Sequence, residues 1–228
     1  MTSQPHRGRF FTLEGLDGCG KSTQIEKLAG YLRAQGVKVV VTREPGGTAL
    51  GEKIREVVLD TGTANLSAMT ELALMFASRA QHIKEVIQPA LADGKVVLCD
   101  RFTDSTEAYQ GGGRKLGSQP VLDLHRILCG NLQPELTVLM DSDVAASVER
   151  ARRRNKLRDS KHSKNDENRF EQESRAFFER VRNAYLAIAE REPHRMIVVD
   201  ARGPAEQTHT LITALVRRKL KLNAKVAS

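Results

Sequence analysis

The chain has no tryptophan, and aromatic residues make up only 4% of its 228 positions. That leaves too little ring surface for the stacking platform on which proteins hold single-stranded nucleic acid. No apolar run is long enough to span a bilayer, and the opening Met1-Thr2-Ser3-Gln4-Pro5-His6-Arg7 lacks the apolar core of a signal peptide. The expectation is a cytoplasmic protein with neither membrane nor nucleic acid as partner. Cysteine is scarce: Cys19, Cys99 and Cys129 are an odd count without metal-ligand spacing, and read as reduced thiols. Internal repeats and low-complexity tracts are missing as well.

What is present fits one soluble domain over residues 1–228, with 40% hydrophobic and 28% charged residues. The net charge of +8 raises the question of nucleic acid, but the excess is local. Arg152, Arg153, Arg154, Lys156, Arg158, Lys161 and Lys164 crowd one segment. Arg217, Arg218, Lys219 and Lys221 crowd the C-terminus, where they suit a solvated helix end facing its own dipole.

The most informative stretch is Gly15-Leu16-Asp17-Gly18-Cys19-Gly20-Lys21-Ser22, which reads as G-x-x-x-x-G-K-[ST], the phosphate-binding P-loop. A strand-like run, Arg9 to Glu14, precedes it, and a helical pattern from Thr23 to Gln35 follows. In such a loop the glycines let successive backbone N–H groups turn onto phosphate oxygens, and the next helix points its positive end at the same anion. Lys21 would reach the β/γ-phosphates, and the Ser22 hydroxyl would ligate Mg²⁺. Cys19 reads as a small filler rather than a reactive thiol.

Strand-like runs at Phe10–Glu14, Val37–Thr42, Val96–Asp100, Leu136–Asp141 and Met196–Asp200 alternate with helical patterns. Their continuous apolar character predicts a five-stranded parallel sheet buried on both faces by helices. Ligands in such sheets bind at the carboxyl ends of the strands. The second exit is Arg43-Glu44-Pro45-Gly46-Gly47-Thr48, a turn whose two opening charges either serve a ligand or pair with each other. A long helical segment from about Ser67 to Ala92 puts Leu72, Phe76, Arg79 and Ile83 on one face. Phe76 and Arg79 could stack on a flat base and bond its edge; alternatively Phe76 is core and Arg79 snorkels to solvent. The third strand closes with Asp100-Arg101. That is either a Mg²⁺ partner beside a phosphate clamp or a surface ion pair. Ser105, Thr106, Tyr109 and Gln110 then share a helix face that ends at a flexible Gly111-Gly112-Gly113 stop. Asp141-Ser142-Asp143 caps a helix running into the basic cluster. The stretch 159–168 has no apolar residue. A charged flap between two helices, at about 151–169, reads as a flexible lid over a triphosphate, or else as a solvated linker.

Three classes of P-loop protein compete. A GTPase lacks support: outside the P-loop the only D-x-x-G is Asp200 to Gly203, and Asn155-Lys156 continues as Leu157-Arg158. A nucleic-acid-linked ATPase would use the positive charge, most of which the flap already accounts for. A small-molecule phosphoryl transferase uses every feature.

From about Arg9 to Leu215 the sequence resembles bacterial thymidylate kinase, a nucleoside monophosphate kinase fold. The carriers are Phe11 through Gly18, Thr42-Arg43-Glu44-Pro45-Gly46-Gly47-Thr48, Asp100-Arg101-Phe102, Ala108-Tyr109-Gln110-Gly111-Gly112-Gly113-Arg114 and Phe170-Glu171-Gln172-Glu173-Ser174. The resemblance implies transfer of the ATP γ-phosphoryl group to dTMP, giving dTDP for dTTP synthesis, with Mg²⁺ and in a homodimer. Another monophosphate kinase, for UMP or CMP, is the alternative. By the same resemblance the ATP site is Gly15, Leu16, Asp17, Gly18, Cys19, Gly20, Lys21, Ser22 and Thr23, with Ser22 and Asp100 at the metal. Asp17 would contact the deoxyribose 3′-OH, and Arg43 and Arg101 would clamp the acceptor phosphate. Phe76 would stack on thymine and Arg79 bond its O4 edge. Pro45 would lie near the pocket floor, Thr106 and Gln110 near the base, and Tyr109 would crowd the 2′ position. This family places its catalytic arginine either in the P-loop or in the lid. Leu16, Asp17, Gly18 and Cys19 include no basic residue, so the resemblance is to the second type. Arg152, Arg153 and Arg154 are then the candidates that act with Lys21 and Arg101.

Overall fold

A computed structural model describes residues 8–63, 65–159, 169–170 and 172–222, the side chains of 154–159 excepted. The five expected strands form one fully parallel sheet in the order β2-β3-β1-β4-β5. They are β1 (Arg9–Glu14), β2 (Val39–Arg43), β3 (Val96–Asp100), β4 (Leu136–Asp141) and β5 (Met196–Asp200). Strand β2 starts and ends later than the apolar run suggests, because the Val37 N–H bonds the Leu32 carbonyl at 3.0 Å and so closes the preceding helix.

Alternation along β1 sorts its residues between two layers. Phe11 and Leu13 pack with α1 (Lys21–Ala34) and α9 (Ala205–Leu220), through Ile25, Leu28, Leu32, Ile212 and Val216. Phe10 faces the opposite layer and packs with Leu72, Phe76, Val97 and Cys99. That layer contains α2 (Ala49–Leu59), α3 (Ala68–His82), α5 (Thr103–Thr106), α6 (Ser118–Cys129) and α8 (Arg175–Arg191). The long helical segment is present but not uniform. A π-helical stretch, Ile83–Ile87, joins α3 to the short α4 (Gln88–Ala92).

A second π-helical stretch, Glu107–Gly113, continues α5 and corrects one expectation. The helix does stop at Gly113, but the triplet Gly111-Gly112-Gly113 is tightly packed rather than loose. A Cβ on Gly112 would come within 2.5 Å of the Ala184 Cβ, and one on Gly113 within 2.6 Å of the Phe177 ring. The missing side chains let α8 press against this helix. Ser105, Thr106, Tyr109 and Gln110 are all buried along it, as is every residue from Phe102 to Gly111.

α7 (Val144–Asp159) starts from an Asp143 cap, whose Oδ1 accepts the Ala146 N–H at 2.8 Å. It runs through the first part of the segment assigned to a lid. Residues 160–168, the rest of that lid, lie outside the described residues, as does the Arg154 side chain. No helix among the described residues is long and apolar enough to cross a membrane.

Candidate active site

The P-loop connects β1 to α1, and α1 begins at Lys21, two residues ahead of the sequence expectation, with Gly20 as its cap. Gly18 has φ +78°, and a Cβ there would lie 2.2 Å from the Ser147 carbonyl of α7. Only glycine lets α7 approach the loop so closely. The Arg150 guanidinium completes this contact, donating from Nε to the Gly18 carbonyl at 2.8 Å and from Nη2 to Ser147 at 3.0 Å. Lys21 is buried, with its ammonium donating to the Gly15 and Leu16 carbonyls at 3.1 and 2.9 Å. Leu16 and Cys19 are buried apolar members of the loop, while Ser22 and Thr23 are exposed. Burial raises the Cys19 thiol pKa, which keeps it protonated and agrees with a filler role.

The register brings Asp100 beside both Leu13 of β1 and Arg43 of β2. The Ser22 hydroxyl donates to Asp100 Oδ2 at 3.0 Å, while Asp100 Oδ1 is buried without a hydrogen-bond partner. A hydroxyl and an unsatisfied carboxylate oxygen suit a hard divalent cation that keeps water and phosphate ligands of its own. No group of three or more His, Cys, Asp or Glu side chains suited to a metal occurs among the described residues. Ser22 and Asp100 would therefore hold such an ion only together with a nucleotide.

Arg101, next in sequence, does not pair with Asp100. It occupies the left-handed region, φ 71°, an uncommon backbone state for a non-glycine residue. The turn carries its side chain across to the P-loop, where Nη2 donates to Asp17 Oδ1 at 2.8 Å. Nη2 also reaches the Tyr109 hydroxyl at 3.2 Å, and Nη1 reaches Ser105 at 2.9 Å and Tyr185 at 3.1 Å. The Tyr109 hydroxyl donates to Asp17 Oδ2 at 3.3 Å. Burial works against the Arg101 charge, but Asp17 and the two tyrosines hold its pKa well above the ordinary guanidinium range. Behind this cluster sits Glu14, fully buried. It accepts from Phe102 N at 2.7 Å, Ser105 at 2.5 Å and Tyr185 at 2.9 Å. Burial, reinforced by nearby Asp104, raises its pKa to about 7.

A second buried cation lies on α3. Arg79 does not snorkel: its Nε donates to Glu44 Oε2 at 2.7 Å, and Nη2 donates to Thr106 at 2.8 Å and the Phe102 carbonyl at 3.1 Å. Its guanidinium carbon stands 4.8 Å from the centre of the fully buried Phe76 ring. Nη1 has no partner. Glu44 also accepts from His82 Nδ1 at 2.8 Å. Burial alone would push the Glu44 carboxyl up, but Arg79 and His82 hold it below the usual range. Arg43 and Glu44 therefore do not pair with each other. Arg43 is exposed and donates to Glu52 at 2.8 Å. Pro45 is buried, and its carbonyl accepts from Arg55 at 3.2 Å. Gln110 donates to Glu71 at 2.7 Å and leaves its own Oε1 buried without a partner.

Arg152 and Arg153 line a cavity of about 490 Å³ with Val148, Glu149 and Arg175. Arg152 donates to the Glu173 carbonyl at 3.4 Å. Sequence reasoning missed Arg150, two residues ahead of the basic cluster. It also missed Glu14, Glu71 and Tyr185. Glu14 carried a signal, a charge closing an otherwise apolar strand. The others needed the fold, which brings Glu71 to Gln110, Tyr185 to Glu14 and Arg101, and Arg150 to Gly18.

A phosphate cradle faces a second site holding the buried Arg79, the half-buried Arg101 and unsatisfied polar atoms, across the carboxyl edge of a β2-β3-β1-β4-β5 sheet. That arrangement defines a P-loop nucleoside monophosphate kinase. The family model for thymidylate kinase matches residues 13–212. The chain is 50% identical over 215 residues to thymidylate kinase of Pseudomonas savastanoi pv. phaseolicola, covering 94% of this chain and 98% of that one. It is 47% identical over 213 residues to thymidylate kinase of Geobacter sulfurreducens, covering 93% and 98%. The crystal structure of thymidylate kinase from Ehrlichia chaffeensis superimposes with a TM-score of 0.71 at 31% identity, covering 92% of this chain and 99% of that one. The chain belongs to the thymidylate kinase family.

Proposed function

We propose that the chain transfers the γ-phosphoryl group of ATP to dTMP, with Lys21 and the P-loop on the donor and Arg101, Arg79 and Asp17 on the acceptor. The observation that carries this reading is the Asp17–Arg101 pair, which ties the donor cradle directly to a cationic acceptor site. Thymidylate kinase relatives covered over nearly their whole length support the substrate.

The acceptor nucleophile is an oxygen of a phosphate that is already anionic, so no strong general base is needed. Catalysis is positioning plus neutralisation of charge as the γ-phosphoryl group passes in line between oxygens. Lys21 would turn from the loop carbonyls to the β/γ-phosphates, and Arg101 would hold the acceptor phosphate, joined by Arg43. Mg²⁺ held by Ser22 and Asp100 would supply charge neutralisation at the triphosphate. One of Arg152, Arg153 and Arg154 would supply the remaining positive charge. Asp17 would accept from the sugar 3′-OH and Tyr109 would crowd the 2′ position. Phe76, Arg79, Thr106, Gln110 and Pro45 would surround the base. For Arg79 the support is its unpartnered Nη1, a buried donor suited to a ring carbonyl.

A homodimer is also proposed. α2, α3 and α6 pack side by side, and Leu50, Val57, Met69, Leu122, Ile127 and Leu128 are exposed on them. Apolar side chains on neighbouring helices suit burial against a second copy. Light scattering coupled to gel filtration should give twice the chain mass, and a monomer at micromolar concentration would refute it.

The decisive assay is coupled ADP release with dTMP, UMP, CMP and AMP as acceptors, with and without Mg²⁺. The expected result is turnover with dTMP that needs the metal. Preference for another acceptor would overturn the substrate. Phosphate release stimulated by DNA or RNA without an acceptor would overturn the reaction class.

A further inference from the structure

Two hydrogen-bonded rungs join α3 to the helix formed by α5 and the Glu107–Gly113 stretch. One is Arg79 to Thr106 at 2.8 Å, the other Gln110 to Glu71 at 2.7 Å. Each rung leaves one polar atom buried and unpaired, the donor Arg79 Nη1 and the acceptor Gln110 Oε1. Such atoms are costly to leave without a partner, and they mark places where a ligand completes the bonding. One donor and one acceptor from neighbouring rungs match the edge of a base with a ring carbonyl beside a ring N–H. Cytosine presents an amino group and a bare ring nitrogen at the same positions.

The sense of the Gln110 amide decides which edge fits, and an amide can turn over without changing shape. What fixes it is Glu71. A carboxylate only accepts, so the Gln110 nitrogen must face it and the oxygen must face away. We propose that Glu71 is a positioning residue for base choice. By holding the Gln110 amide in one sense, it makes the site select a 4-oxo, 3-NH pyrimidine over a 4-amino one. This rests on the reading of Arg79 and Gln110 as the acceptor-base site.

The surroundings of Glu71 make the idea testable by a change of one atom. Its Oε2 end accepts from Arg169 Nη2 at 2.6 Å and from Arg114 Nε at 3.2 Å. Its Oε1 end faces Gln110, with Arg114 Nε farther off at 3.3 Å. In Glu71→Gln the new amide must keep its oxygen toward the two guanidinium groups, since its NH₂ would there meet only donors. The NH₂ then points at Gln110, which turns over to accept from it and presents its own NH₂ to the base.

The experiment measures kcat/KM for dTMP, dUMP and dCMP in the wild type, Glu71→Gln, Glu71→Asp and Gln110→Leu, with melting temperatures alongside. Glu71→Gln should lose roughly 10–100-fold on dTMP and dUMP alike, the scale of one mispaired buried hydrogen bond. It should not lose on dCMP, so the preference narrows by at least about tenfold. Glu71→Asp keeps an acceptor-only group and should retain the preference, whatever its overall rate. A purely structural role would lower all three substrates together. Unchanged preference in Glu71→Gln overturns the proposal, as does loss of preference in Glu71→Asp. Should Glu71→Gln fail to fold, Gln110→Leu must still narrow the preference, and an unchanged preference there overturns it. A wild type that does not favour dTMP would instead sink the underlying functional reading.

Discussion

Arg101 and Asp17, 84 positions apart in sequence, meet at 2.8 Å and close the donor and acceptor halves of the site onto each other. Asp17 lies within the P-loop, and Arg101 leaves β3 through a left-handed turn that carries its side chain to it. In the proposed reaction the Asp17 carboxylate would have two duties, holding the clamp and meeting the sugar.

Replacing Asp17 separates these halves. Asp17→Ala should raise KM for dTMP roughly 10–100-fold, the scale of a lost charge-assisted hydrogen bond, while KM for ATP changes little. Arg101 keeps Ser105, Tyr109 and Tyr185 in that variant, so the clamp is loosened but not lost. Initial-rate kinetics with each substrate varied in turn decide the matter. A rise in KM for ATP with none for dTMP would exclude the sugar role.

Single alanine variants along α7 test where the catalytic charge comes from. One of Arg152, Arg153 and Arg154 should lower kcat by roughly 10³-fold, as expected for an arginine that stabilises the transferring phosphoryl group. Arg150→Ala should instead weaken ATP binding, because its guanidinium braces the Gly18 carbonyl of the loop. Unchanged turnover in all three of the former would place the catalytic charge elsewhere.

Much of this site was legible in advance because it sits at strand exits, which apolar runs locate well. β3, β4 and β5 match their expected bounds residue for residue. Ser22 and Asp100, each singled out from the P-loop pattern and the strand-end acid, lie within 3.0 Å of each other. Partner choice among charges was not legible. Arg43 and Glu44 are adjacent in sequence yet find different partners, one the half-buried Glu52 and the other, in the core, Arg79 and His82. Neighbours along an extended chain diverge, and the partners come from helices that sequence spacing does not align. The glycine triplet misled for a related reason. Composition suggests freedom, but which helix lies against it decides whether glycine is loose or tightly packed.

That packing gives a stability prediction. Gly113→Ala should destabilise the fold by about 1–3 kcal/mol through overpacking, since the new methyl meets the Phe177 ring at 2.6 Å and Val181 at 2.9 Å. Gly30→Ala lies in α1 with nothing within 4 Å and should be neutral or mildly stabilising. Urea unfolding of both variants reads the difference. Equal stability for the two would mean that α8 yields freely at this contact.

Glu14 supplies a pH signature. Burial raises its pKa from the ordinary 4.5 to about 7 in the folded chain, with Asp104 pushing it further up and Arg101 opposing. An acid whose folded pKa lies above its unfolded one binds its proton more tightly when folded. Its contribution is therefore fully present below about pH 4.5 and is lost progressively as pH rises toward 7, by linkage. The loss is on the order of 3 kcal/mol for a shift of this size. Glu14→Gln keeps the shape and cannot ionise, and its amide can still accept from the Phe102 N–H while donating to Ser105 or Tyr185. Other carboxylates titrate in both proteins and cancel in the comparison. The stability difference between Glu14→Gln and the wild type, from urea unfolding at half-unit steps between pH 4.5 and 8, should thus grow in favour of the variant up to about pH 7 and then level off. A difference that is flat across that range would mean that Glu14 titrates alike in the folded and unfolded chains.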